Sequence, residues 1–271
     1  MIPRTKKRLL QIGNILAIII TILINTLAVI LPLNGKTTQE LSDALPNLFV
    51  PAGITFSIWG IIYILWIVFA IYQARDIFKK DEIDMPFLQQ ISVLFIVSSI
   101  ANSAWIFLWH YEYVGVSLLM MIVLLLSLLA LYVRLNIGRS IVSMTERLCV
   151  HVPSSIYLGW IAVATIANVT AFLVSINWDG FGISALNWTI TIIAVGTLLT
   201  ILMLALRKDI AFSLVVLWAF FGIWMKQSDT TIDINIATTI TIAIILIAFG
   251  LLAVLGYQLI SKNKLNSIKK T

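Results

Sequence analysis

Asn102 and Trp105 stand three residues apart in "ANSAWIFLW" and share one face if the segment is helical. In "YLGWIAVATIAN", Tyr157, Trp160, Ala164 and Asn168 fall along one helical stripe, and in "TFSIWGIIY" Trp59 and Tyr63 sit four apart. Indoles, phenols and amides at such spacing suit non-covalent recognition. They offer flat apolar surface for stacking and neutral groups for the polar edge of a ligand. They supply no nucleophile with an adjacent base. HExxH, GxSxG and the glycine-rich phosphate loops do not occur, and His110 and His151 are the only histidines. Cys149 is the single cysteine, which excludes an intrachain disulfide and a CxxC centre. His110 and Glu112 in "HYE" are ligand-type residues near a span end, but two side chains make a poor metal site. No catalytic residue, metal set or cofactor is therefore expected, and the role read here is not enzymatic.

The elements that must position these residues are membrane spans. The 271 residues are 61% hydrophobic and 11% charged, with a mean hydropathy of +1.04, too little polar surface to cover a water-soluble domain of this size. Apolar runs of about twenty residues recur along the chain, and in lipid each must be a helix that satisfies its own backbone. The runs predict an all-α polytopic bundle of eight spans: Leu9–Leu33, Ala52–Ala74, Leu88–Trp109, Val114–Leu135, Leu148–Ile176, Leu186–Leu206, Ile210–Met225 and Ile234–Ile260.

Of the 18 Lys and Arg residues, Lys36 and Lys226 alone fall on one side of that alternation. The positive-inside rule then places both termini in the cytoplasm of a multi-pass cell-membrane protein. The net charge of +6 thus reports topology and not a nucleic-acid footprint. No Asp, Glu, Lys or Arg lies mid-span, which argues against a proton relay. Counting 1.5 Å per residue from the span ends places Trp59, Asn102 and Asn168 roughly 10–12 Å below the outer edge. Either a pocket at that depth or ordinary interhelical bonding would place them so. Trp109, Trp178 and Trp188 fit an interfacial belt. Trp218, on the seventh span, belongs to none of these stripes and is expected to leave the site alone. The outer loop from Asn34 to Val50 carries Leu45, Leu48 and Phe49 and is expected to pack on the bundle, whereas Arg75–Pro86 reads as a solvated connector. An interruption at "WDGFGI" divides the chain into residues 1–178 and 179–271.

The same stretches resemble the tryptophan-rich sensory protein/translocator protein family (TspO/MBR). Pro51, Gly53, Phe56, Trp59 and Tyr63 match its entry into the second helix, and Asn102 and Trp105 its N-x-x-W. Tyr157, Trp160, Ala164, Thr165 and Asn168 match its fifth-helix motif. The likeness covers about residues 9–178, so 1–178 would be the family's five-helix unit and 179–271 a three-helix extension. It implies a pocket for porphyrins or sterol-like lipids, closed by the loop between the first two helices. Pro51 and Gly53 would turn that lid into the second helix. The expected function is a membrane ligand-binding or sensory protein, with a transporter of such molecules as the alternative and an enzyme acting on bound porphyrin behind both. Its partners would be a hydrophobic small molecule and membrane lipids, with a homodimer compatible and no nucleic acid.

Overall fold

The computed structural model describes residues 3–31, 33–228 and 234–268, with side chains to residue 258, and all regular structure among them is helical. Helix α1 (Arg4–Ile30) is followed by a short α2 (Thr38–Asp43) and a single 3₁₀ turn (Gly53–Ser57) that leads into α3 (Ile58–Gln73). Then come α4 (Pro86–Ile91), α5 (Leu94–His110) and α6 (Val114–Arg134). A continuous stretch, Met144–Ser175, is built from α7 (Met144–Glu146), a π-helical turn (Arg147–His151) and α8 (Val152–Ser175). Helices α9 (Ala185–Arg207), α10 (Ile210–Ser228) and α11 (Ile234–Ile268) complete the chain. Pro153 has no N–H to give and crowds the carbonyl four residues back, which accounts for the widened π turn just before it.

Seven helices are long and apolar enough to cross a membrane among the described residues, and α5 is a shorter apolar helix in the eighth place. The third expected span, Leu88–Trp109, is therefore not one helix. It breaks at Ser92, whose φ of 49° ends α4 before α5 begins. Helices α1, α5, α6, α8 and α3 pack in that order into a closed ring. Helix α10 packs on α8, and α9 and α11 pack on α10 and on each other. Close approach of α8 and α10 is set at Gly159, where a Cβ would lie 3.2 Å from the Phe212 carbonyl oxygen.

A buried polar stripe runs down α1 at alternating three- and four-residue steps: Lys7, Gln11, Asn14, Thr21 and Asn25, with Ile18 between. At the basic end it meets α3. Lys7 pairs with Asp76, Gln11 Nε2 donates to Asp76 Oδ1 at 2.8 Å, and Asn14 Nδ2 donates to Gln73 Oε1 at 2.9 Å. The Arg75–Pro86 segment is thus more than a solvated connector, because Asp76 and Met85 are buried. Burial alone would raise the Asp76 carboxyl. Hydrogen bonds from Lys7, Gln11 and the Ile83 N–H, with the Lys7 charge, overcome that and hold it below its ordinary value.

Candidate functional site

The far end of the ring gathers aromatic side chains. The Trp59 ring stacks on Tyr63 and on Trp105, with centroids 5.7 and 6.5 Å apart, and meets Tyr157 and Trp160 edge-on at 6.1 and 6.3 Å. Trp105 continues the stack to Trp109 at 6.3 Å. Such offset and edge contacts add about 0.5–1.5 kcal/mol each beyond burial. Trp105 Nε1 donates to Asn168 Oδ1 at 3.3 Å, which joins α5 to α8. Helices α3, α5 and α8 therefore do bring their motif residues to one layer.

Within that layer the residues divide. Pro51, Trp59, Trp105, Trp160, Ala164 and Asn168 line a cavity of about 50 Å³. Tyr63, Asn102 and Tyr157 support it from behind without lining it. Asn102 Oδ1 accepts from Asn25 Nδ2 at 2.8 Å, an interhelical bond to α1. One buried group here, Trp160 Nε1, has no hydrogen-bond partner among the described residues. A buried polar atom left unmet costs about 1–3 kcal/mol, so the layer has unused capacity to bind.

The loop between α1 and α3 covers the cavity, as its apolar content predicts. Leu41, Phe49 and Val50 are buried, and Thr38, Ser42 and Phe49 form its roof. Helix α2 begins in a capping box, with Glu40 N–H donating to Thr37 Oγ1 and Thr37 N–H to Glu40 Oε2. Gly53 lies under this helix: a Cβ there would meet the Gln39 side chain at 2.0 Å.

Two latches hold the roof. On α5, Trp109 Nε1 donates to the Thr38 carbonyl at 3.4 Å, and His110 Nε2 lies 3.4 Å from Thr38 Oγ1. Glu112, just beyond, pairs with Lys36 at 2.5 Å. Trp109 is therefore not a belt residue and His110 is fully buried, both because the roof sits on them. His110 and Glu112 of "HYE" serve the latch. Among the described residues no group of three His, Cys, Asp or Glu side chains could hold a metal ion.

The second latch is α10. Its Lys226 pairs with Asp43 at 2.9 Å, Gln227 Nε2 donates to the Leu48 carbonyl at 2.9 Å, and the Gly222 carbonyl accepts from Ala52 N–H at 2.9 Å. Trp218 Nε1 donates to the Thr55 carbonyl at 3.0 Å. Trp218 is thus bonded to the turn that opens α3, although it does not line the cavity. Gly222 permits this contact, since a Cβ there would lie 1.9 Å from Thr55 Oγ1.

Sequence reasoning missed the roles of Asn25, Thr38, Trp109 and Trp218. For Asn25 a signal existed: the polar residues of α1 recur at heptad-like spacing inside an isoleucine-rich run. The latch residues carry no local signal, because their partners lie some seventy or more positions away.

A family model described as TSPO-like protein matches residues 11–254. The chain belongs to the TSPO-like family. The TSPO-like match runs beyond the ring motifs through α9, α10 and most of α11. No curated protein and no solved structure matches the chain. Family membership and the helix count agree on a multi-span membrane protein.

Proposed function

We propose that this TSPO-like protein binds a flat, mostly apolar molecule, porphyrin-like or lipidic, in the aromatic layer beneath the α2 roof, and serves as a membrane sensor of it. The observation that carries the reading is the stack of Trp59, Trp105 and Trp109, with Trp160 edge-on and its Nε1 unpaired. Trp and Tyr faces would hold the ligand plane by dispersion, and the unmet indole N–H would take a polar edge. Pockets for molecules of that size are roughly 300–1,000 Å³. The cavity is about 50 Å³, so entry requires the roof to lift from His110 and Trp109. The chemistry is binding alone, with no catalytic step.

Transport is the second reading. A larger groove of about 660 Å³ between α8 and α9 supports it, because Phe49 walls both that groove and the cavity. A ligand displacing Phe49 would pass from one to the other.

Titration of the purified protein with protoporphyrin IX, followed by Soret absorbance and tryptophan quenching, tests the binding claim. Trp59→Ala and Trp160→Ala should each weaken binding by several-fold to about tenfold, where tenfold corresponds to about 1.4 kcal/mol. Unchanged affinity in both, with porphyrin still bound, would place the site elsewhere. Porphyrin flux in proteoliposomes separates transport from sensing.

A further inference from the structure

On the outside of the ring a groove of about 710 Å³ lies where α3, α8, α10 and α11 meet, running from the basic end towards the turn that opens α3. Its two ends differ in chemistry. The mouth carries Arg147, Arg207 and Lys208, none of which makes an ion pair among the described residues. The wall beyond is apolar: Ile156, Leu214 and Val215, with Ile61 and Trp218 further along. Ile61 and Leu214 are more than half exposed on the surface that faces lipid, so the groove opens sideways into the bilayer.

The one carboxylate in the lining, Asp209, can offset only one of these three cations. Asp209 is buried, and its oxygens are taken by Tyr132 Oη at 2.8 Å, Ser155 Oγ at 2.7 Å and the Phe212 N–H at 3.0 Å. Arg207 is held by the Asn136 side chain at 3.0 Å and Lys208 lies 4.5 Å over the Tyr257 ring, so the mouth is positioned but not neutralised. His151 adds an independent sign. It sits in the π turn, is 4% exposed, and its Nε2 has no hydrogen-bond partner among the described residues.

We propose that this groove is a binding site for an anionic amphiphile of the membrane, a phospholipid whose headgroup sits among Arg147, Arg207, Lys208 and His151. One acyl chain lies along Ile156, Leu214 and Ile61. Charge complementarity selects the headgroup, since guanidinium and ammonium groups give strong charge-assisted bonds to phosphate oxygens. The apolar wall selects the chain and distinguishes a lipid from a free anion. Because α10 also holds the roof of the aromatic cavity, a lipid seated here rests on the same helix as the second latch.

Native mass spectrometry of the full chain tests this, after incubation with equal amounts of phosphatidylglycerol and phosphatidylcholine. Wild type should retain phosphatidylglycerol about tenfold over phosphatidylcholine. The double variant Arg147→Gln/Lys208→Gln should lose that preference, and Leu214→Trp, which fills the wall without changing charge, should lower retention of both lipids. Equal retention of phosphatidylglycerol by wild type and the charge variant would overturn the proposal. So would inorganic phosphate protecting wild type and Leu214→Trp equally against thermal unfolding, since that marks a free-anion site. If Leu214→Trp does not fold, Ile61→Trp, on the lipid-facing part of the same wall, carries the same comparison.

Discussion

The five-helix ring and the three helices beside it use polar residues in different ways. In the ring, beside serines and threonines that bond back to their own helix, amides and an indole bond between helices: Gln11 and Asn14 to Gln73, Asn25 to Asn102, Trp105 to Asn168. In α9 and α11 the threonines bond back to their own helix, as Thr189, Thr197, Thr200, Thr239 and Thr241 each donate to the carbonyl four residues earlier. The ring is therefore fixed in register by directional contacts, whereas α9 and α11 are held by apolar packing. Helix α10 couples the two, through Gly159 on one side and the roof and entry turn on the other. The lesson is a division of labour. The ring builds the site and one latch of its cover, and α10 supplies the other.

The largest effect should come from the ring's buried ion pair. Lys7→Met leaves Asp76 buried and uncompensated, which costs about 3–5 kcal/mol. The double variant Lys7→Met/Asp76→Leu should recover much of that loss in thermal unfolding. The pair also sets an acid limb. Because the folded Asp76 carboxyl is depressed, its contribution is complete above the ordinary aspartate range and lost as pH falls through the folded value. Lys7→Met should flatten that limb.

A smaller effect should follow from forcing α10 off the ring. Gly222→Val places a side chain against Thr55 and should destabilise by about 1–3 kcal/mol, the usual range for overpacking. If porphyrin binds under the roof, its dissociation should quicken as well, measured by stopped-flow. Asn25→Leu in the ring should cost about 0.6 kcal/mol, the average for an interhelical bond in lipid. Thr197→Val in α9 should cost less, and equality between them would erase the contrast. Smallest of all, Lys36→Ala removes a half-exposed pair with Glu112 worth about 0–1 kcal/mol and should barely change the unfolding midpoint.

Hydropathy alone made the spans legible, because lipid permits only self-satisfied helices to cross. The break at Ser92 was not, since Pro86–Ile91 and Leu94–His110 read as one apolar run. Trp59, Trp105, Trp160, Ala164 and Asn168 were legible as faces meeting at one depth because each stripe is local to one helix, but the stripes alone left a pocket and interhelical bonding equally open. Asn102 and Tyr157 lay on the same stripes yet face neighbouring side chains, a choice set by helix rotation that spacing cannot encode. The role of Trp218, and of His110 and Glu112 in "HYE", was hidden for a different reason. Their partners, Thr55, Thr38 and Lys36, are local to other parts of the chain, and only the fold brings them together.

The central claim is that ligand occupies the roofed aromatic layer and not the roomier groove between α8 and α9. Protoporphyrin IX affinity of Trp59→Ala and of Ile192→Trp, which fills that groove, tests it most directly. Trp59→Ala should weaken binding by several-fold to about tenfold while Ile192→Trp leaves it within twofold, roughly 0.4 kcal/mol. Loss of binding in Ile192→Trp with wild-type affinity in Trp59→Ala would contradict the account.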